Sequence, residues 1–286
     1  MSTMYDLLIT PKELEALLGK ENFCLFDCRH SLTKPDQGQR LYEAGHIPGA
    51  RFAHTDHDLS DPPGPEHGRH PLPDWQRFCH WLEDKGVTEK SQVVAYDDAG
   101  GVFASRLWWL LTALGHEQVA ILDGGLQAWQ AAGLPLQTDT PASTRGDFTA
   151  QPDARQIATL DEVGAMLGEK NLRLIDARGK NRYEGIEEPL DPRAGHIPGA
   201  LNLPFTENLN PDQTFLSPEV LKQKWQNLLG DTPPGAAIHY CGSGVSACHN
   251  LFTQKLAGLP IGRLYAGSWS QWCADPNRPI ATGPNP

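Results

Sequence analysis

Long apolar runs are missing from this sequence. The longest, Leu107-Trp-Trp-Leu-Leu-Thr-Ala-Leu114, falls far short of the roughly 20 residues that span a bilayer, so no membrane helix is expected. Cysteine is scarce. Six (24, 28, 79, 241, 248 and 273) in 286 residues are too few for a disulfide framework, and none forms a Cys-x-x-Cys pair suited to zinc or dithiol chemistry. Cys24 and Cys28 fall in an expected strand, where four residues of rise, roughly 13 Å, exceed the Cα separation of a disulfide. Positive charge is also short: Lys and Arg total 24 against 35 for Asp and Glu, and a net charge of −11 repels a phosphate backbone. Nucleic acid is therefore not an expected partner. The start, Met1 to Asp6, has neither the basic residues nor the apolar run of a secretory signal, so a cytoplasmic protein with reduced thiols is expected.

What is present is a repeat. Phe26-Asp-Cys-Arg29 returns as Ile175-Asp-Ala-Arg178 at an offset of 149, and Gly45-His-Ile-Pro-Gly-Ala50 returns unchanged as Gly195-His-Ile-Pro-Gly-Ala200 at 150. Val94-Ala-Tyr-Asp97 matches Ile238-His-Tyr-Cys241, and Leu122-Asp-Gly-Gly125 matches Leu264-Tyr-Ala-Gly267, in the same order. The halves read as duplicates, 1–138 and 156–286, joined by a turn-rich linker at 139–155. Apolar runs at 24–27, 93–96, 172–175 and 237–240 read as strands. Runs at 14–18, 103–114, 160–167 and 246–257 read as helices, the first and third capped by Thr10 and Thr159. Alternating strands and helices imply an α/β fold with a mainly parallel sheet in each half, whose ligands sit beyond the carboxyl ends of the strands.

That rule points to the loops after Tyr96 and Tyr240. The second, Cys241-Gly-Ser-Gly-Val-Ser-Ala247, places a thiol in a small-residue loop between a strand and a helix. Inward N–H groups and the positive helix end both favour a thiolate there, and the thiolate is the nucleophile. The first is Asp97-Asp-Ala-Gly-Gly101, an acid where the thiol would be, so the first half is expected to be inert. A core cysteine beside a strand is the plain alternative for Cys241; the strand, loop and helix setting favours the nucleophile.

With the two Asp-x-Arg strand ends, the two Gly-His-Ile-Pro-Gly-Ala segments, the loop at Cys241 and Gly267-Ser-Trp269, the chain resembles the tandem-domain sulfurtransferases from about Leu7 to Ile280. The resemblance implies two rhodanese-like domains, no cofactor or metal, and a persulfide carried on Cys241 in a ping-pong cycle. Gly242 and Gly244 would let backbone N–H groups approach the persulfide, with Val245 completing the loop and Ser243 and Ser246 adding hydroxyls; for the two serines simple loop solubility is the alternative. Members that use thiosulfate carry Arg-Lys after the cysteine, and members that use 3-mercaptopyruvate carry Gly-Ser-Gly-Val, as here. Ser246 stands where the family form has Thr.

An α-keto carboxylate needs a cation. Arg182 matches the family's anion-binding arginine, and Arg193 is a second candidate at a shorter spacing to Gly195-His196 than the family form. The resemblance also implies a Ser243-His46-Asp36 relay for the donor's thiol proton, against a turn role for His46 that the parallel His196 illustrates. Arg29 and Arg178, present in both halves, read as structural. Cys248 reads as core, His249 as surface, and Trp269 and Trp272 as pocket wall or core. Thioredoxin, small thiols and cyanide are all chemically able to accept the outer sulfur. A cysteine phosphatase would need Arg where Ala247 stands, and a persulfide sensor would show no turnover.

Overall fold

The computed structural model describes residues 5–142, 144–168 and 173–286. Met1 to Met4, Ser143 of the expected linker, and Leu172 at the start of an expected strand lie outside them. The chain divides into two compact units.

The first unit comprises Met1–Asp61, Pro73–Asp153 and Pro211–Phe215. Its elements are β1 (Leu8–Ile9), α1 (Pro11–Leu17), β2 (Phe23–Asp27), α2 (Gln37–Ala44), β3 (Ala50–Phe52), α3 (Trp75–Asp84), β4 (Gln92–Tyr96), α4 (Ala104–Ala113), β5 (Val119–Leu122) and α5 (Gly125–Ala131). The five strands form one parallel sheet in the order β1-β5-β4-β2-β3. Every residue of β4 is buried, as expected for a central strand covered on both faces.

The second unit comprises Pro62–Leu72, Ala154–Asn210 and Leu216–Pro286. It contains α6 (Leu160–Ala165), β6 (Leu174–Asp176), α7 (Lys180–Tyr183), β7 (Leu201–Asn202), α8 (Pro218–Leu229), β8 (Ile238–Tyr240), α9 (Ser246–Leu256), β9 (Arg263–Leu264) and α10 (Ser268–Trp272). Its parallel sheet runs β7-β6-β8-β9, the order of β3-β2-β4-β5 in the first unit. The opening helices match as well. Thr10 and Thr159 each form a capping box, with Glu13 and Glu162, satisfying N–H groups that a helix start leaves unpaired.

The domain limits read from the sequence need two corrections. Residues 62–72 pack with the second unit, and 211–215 with the first. The expected linker is largely structured into the first unit: Gly146 donates to the carbonyl of Glu83, Asp153 to that of Ala113, and Phe148 is buried. Any Cβ at Gly146 would collide with the carbonyl of Val87, which explains that glycine.

The repeated hexapeptide has the same task in both units. Arg29 pairs with Asp27 and donates to the carbonyl of Gly45 at 2.7 Å, and Arg178 pairs with Asp176 and donates to Gly195 at 2.7 Å. The hydroxyls of Tyr96 and Tyr240 accept the N–H groups of Ile47 and Ile197. His46 stacks on Tyr42 with ring centroids 3.9 Å apart, and His196 on Tyr183 at 3.8 Å. Each histidine places Nδ1 2.7 Å from the carbonyl of the tyrosine beneath it. The motif fastens the segment before β3 or β7 to the ends of the central strands.

His239 on β8 is wholly buried, edge-on to Trp225 at 5.4 Å, and burial pushes its imidazole from the ordinary 6.5 down to about 3, opposed by Gln254. A depressed histidine binds its proton more tightly unfolded than folded. Its contribution to stability is thus present above pH 6.5 and lost as pH falls from there towards about 3. Denaturant melts of His239→Leu across this range should show a shallower acid decline than the parent chain; an identical slope would contradict this assignment.

Candidate active site

At the carboxyl end of β4 the carboxylate of Asp97 is fully buried. Its Oδ1 accepts the N–H groups of Ala99 and Gly101 at 2.8 Å each, and Oδ2 those of Phe103 at 2.8 Å and Ala104 at 2.9 Å. Burial pushes this acid up while the four N–H groups pull it down. The loop is a cradle for negative charge, with a side chain already seated in it. Asp97→Asn would put an amide N–H against N–H donors and strand about two of them, costing roughly 2–6 kcal/mol at about 1–3 kcal/mol per buried unmet donor. Urea denaturation checks this, and an unchanged midpoint would sink it.

Cys241 takes that place at the end of β8, and 2% of it is exposed. Its Sγ accepts the N–H of Gly244 at 3.1 Å. The rest of the loop is held so that its carbonyls turn away from the sulfur. Trp269 and Ser270 donate their N–H groups to the carbonyls of Cys241 and Gly242 at 3.0 and 2.9 Å, while the N–H of Cys241 goes to the hydroxyl of Ser268 at 3.1 Å. Ser268 holds a left-handed φ of +53° to do this, a conformation costly for any residue but glycine. Gly244 also has a left-handed φ, +78°, and a Cβ there would lie 2.5 Å from the carbonyl oxygen of Ala266. The Cys248 thiol donates to the Gly244 carbonyl at 3.2 Å and is buried beneath the loop. Val245 is buried where α9 begins, and Ser246, half-buried, opens that helix, whose positive end faces the loop.

Ser243 is 3% exposed and its Oγ lies 2.6 Å from Nδ1 of His70. This corrects the expected relay. Nδ1 and Nε2 of His46 lie 2.7 and 3.2 Å from the carbonyls of Tyr42 and Asp139, so the ring is spent on backbone. The Asp36 side chain is 80% exposed and pairs only loosely with Arg40 at 3.8 Å. His70 comes from 62–72, a Pro- and Gly-rich stretch within the 1–138 expected for the first half. Its pairing with a serine 173 positions away left no local signal.

Arg182, from α7, donates Nε and Nη2 to Glu188 and Nη2 also to Asp191 at 3.1 Å. Arg69, neighbour of His70, binds the other side of Asp191 at 2.6 Å. Both guanidiniums reach Gly242: a Cβ built there would lie 3.1 Å from Arg69 Nη2 and 3.3 Å from Arg182 Nη1. Arg193 is placed otherwise. It donates to the carbonyls of Asp275 and Arg278, strapping the segment after α10, and is a structural residue. Arg178 stacks on Trp269, 4.6 Å from the ring centroid, and Trp269 and Trp272 are core. His249, expected at the surface, is fully buried and edge-on to Phe205, because the helix that carries it is covered on all sides.

All six cysteines are free and buried. Among the described residues one group has metal-ligand spacing, His30, His54 and Asp56 of the first unit, with ligand atoms within 4.8 Å of one another. Within it, Nδ1 of His54 accepts the N–H of Asp56. No helix of the described residues is long and apolar enough to cross a membrane.

Replacing Gly244 by Ala should slow alkylation of Cys241 by iodoacetamide by about 10-fold or more, because the Cβ evicts the loop N–H from the sulfur. Timed alkylation followed by peptide mass analysis measures it, and an unaltered rate would contradict the cradle.

The rhodanese-like domain model matches residues 10–132 and 159–275. The chain is 49% identical over 278 residues, 96% of itself and 98% of the relative, to a probable 3-mercaptopyruvate sulfurtransferase of Pseudomonas aeruginosa. It is 38% identical, over 99% of both chains, to a putative thiosulfate sulfurtransferase of Mycobacterium tuberculosis. Among solved structures it is similar to SseA of Escherichia coli, described as a 3-mercaptopyruvate sulfotransferase, with a TM-score of 0.81 and 30% identity over 93% of this chain and all of that one. The sequence repeat, the two parallel sheets and these similarities agree: the chain belongs to the tandem rhodanese-domain sulfurtransferases.

Proposed function

We propose that this chain moves sulfur from 3-mercaptopyruvate to a thiophilic acceptor through a persulfide on Cys241, releasing pyruvate. The observation that carries this reading is the uncharged loop itself, a buried thiol taking a backbone N–H with a serine-histidine pair and an arginine beside it.

In the first step the Cys241 thiolate attacks the donor's sulfur. The S–S bond forms as the C–S bond breaks, and the electron pair of that bond goes to carbon, giving the enolate of pyruvate. The proton leaving the donor thiol passes to Ser243 and His70 and returns to the carbon, so no net proton is consumed. The persulfide is left with its negative charge over the loop N–H groups, and Arg182 holds the carboxylate end of the donor. An acceptor thiolate or cyanide then attacks the outer sulfur and frees the Cys241 thiolate. A small thiol, a thioredoxin-type dithiol and cyanide all qualify by nucleophilicity. A reducing compartment such as the cytoplasm suits a free thiol that must cycle through a persulfide. The names of the relatives from P. aeruginosa and E. coli support the donor assignment.

Steady-state pyruvate release in the presence of a thiol tests the proposal. His70→Gln should lower kcat by about 100-fold or more with 3-mercaptopyruvate, and His46→Gln should leave kcat within about 3-fold after any loss of stability is allowed for. Equal losses in the two variants, or a higher kcat/KM for thiosulfate than for 3-mercaptopyruvate, would overturn it.

A further inference from the structure

At the carboxyl ends of β2 and β3 the first unit gathers side chains that the sulfur chemistry does not use. His30 lies three residues beyond β2, and His54 and Asp56 two and four beyond β3, at the end of a parallel sheet where ligands sit. A ring nitrogen of each histidine and a carboxylate oxygen of Asp56 all lie within 4.8 Å of one another, with His30 Nε2 3.5 Å from Asp56 Oδ1. The repeat supplies a comparison. At the offsets of 149 and 150 the second unit has Gly179, Pro204 and Thr206, none of which offers an imidazole or a carboxylate. The cluster is therefore no part of the scaffold that both copies share.

The two histidines are held by backbone that is itself fixed. His30 follows Arg29, whose guanidinium is tied to Asp27 and to the carbonyl of Gly45, and α2 packs on it so closely that a Cβ at Gly38 would lie 3.2 Å from the His30 Cα. His54 opens a tight turn. Its N–H goes to Asp58 Oδ2 at 2.8 Å, and its carbonyl accepts the N–H groups of Asp58 and Leu59 at 2.8 and 3.1 Å. Phe103 and Phe52 stand edge-on to the two rings, with centroids 5.2 Å from His30 and 5.7 Å from His54. The His30 side chain is 2% exposed and that of Asp56 25%, so the cluster opens to water at Asp56.

Two imidazoles and one carboxylate are the donor set of zinc and its neighbours, borderline ions that take nitrogen and oxygen together, whereas magnesium and calcium prefer oxygen alone. Burial, aided by His57, pulls the His54 imidazole below its ordinary 6.5 against Asp56, Asp58 and Asp36, so at neutral pH the ring offers a lone pair instead of a charge. Those three carboxylates favour a cation beside it. Tetrahedral zinc, with bonds of about 2.0–2.1 Å, sets its ligand atoms about 3.3 Å apart, so the cluster has to close by at most about 1.5 Å. His54 Nδ1 takes the N–H of Asp56 at 3.1 Å, and ligation turns the ring about Cβ–Cγ out of that bond, leaving the N–H to water on the open side.

We propose that the first unit binds a divalent transition ion of the zinc type through His30, His54 and Asp56, with water in the fourth position. The ion fastens the segment after β2 to the turn after β3 and so stabilises the first unit. All three ligands belong to that unit, so the site stands or falls apart from the sulfur donor.

The untagged full chain, stripped of metal by a chelator, is titrated with Zn²⁺ against a chromophoric chelator and with Co²⁺ by absorption. One equivalent should bind, the Co²⁺ spectrum should show d–d bands without thiolate charge transfer, and the Zn²⁺ complex should melt above the metal-free chain. His30→Gln and His54→Gln should each weaken Zn²⁺ binding by about 100-fold or more and abolish the rise in melting temperature. Asp56→Asn, which keeps an oxygen but loses the charge, should weaken it by about 10-fold, and its partly exposed side chain keeps the test open if a buried histidine variant fails to fold. His57→Gln is the control: its ring lies 4.2 Å from that of His54 but outside the ligand set, and its affinity should stay within about 3-fold of the parent. No stoichiometric Zn²⁺ binding by the parent, thiolate charge transfer in the Co²⁺ spectrum, or equal affinity in the parent and Asp56→Asn overturns the site.

Discussion

A negative charge buried at the end of a central parallel strand has to be met by N–H donors, and this need organises both halves of the molecule. In the first unit Asp97 supplies the charge and four backbone N–H groups meet it. In the second, Cys241 stands there, Gly244 donates to its sulfur, and Trp269 and Ser270 draw the loop carbonyls the other way. The same solution holds a fixed carboxylate in one copy and is suited to a transferable sulfur in the other. Everything else in the second unit that bears on chemistry, from the left-handed Ser268 to the anchored segment 62–72, fixes the rim of that cradle.

The duplication separates scaffold from chemistry with unusual clarity. Features found in both copies, the Asp-x-Arg strand ends and the stacked tyrosine and histidine of the hexapeptide, tie strands to connecting segments and bury their polar atoms against backbone. The features that the proposed reaction uses are found in one copy. Cys241 replaces an acid, Ser243 gains a histidine, and Arg182 gains Arg69 through a shared carboxylate.

The strands, helices and capping boxes were legible because their signals are local: apolar runs, Thr-x-x-Glu spacing, and the repeat itself. The candidate nucleophile, Cys241, was legible because a strand, a small-residue loop and a helix are consecutive in sequence. The pairings of His70, Arg69, Glu188 and Asp191 were not, since they arise from the docking of 62–72 onto a unit whose next residue is Ala154. His46 misled for the converse reason: its motif is conspicuous, and its ring nitrogens are consumed by carbonyls that no spacing rule reveals. Arg193 likewise lies close to the right place in sequence, but strand connectivity turns it to the carbonyls of Asp275 and Arg278.

The central claim is that one thiol of the six carries the transferred sulfur. Incubating the full chain with 3-mercaptopyruvate and no acceptor, then trapping persulfides and locating them by peptide mass spectrometry, tests it most directly. The account requires one added sulfur on Cys241, removed by a thiol or cyanide, with Cys24, Cys28, Cys79, Cys248 and Cys273 unchanged. A persulfide on any of those five instead, or none at all while pyruvate is released, would contradict it.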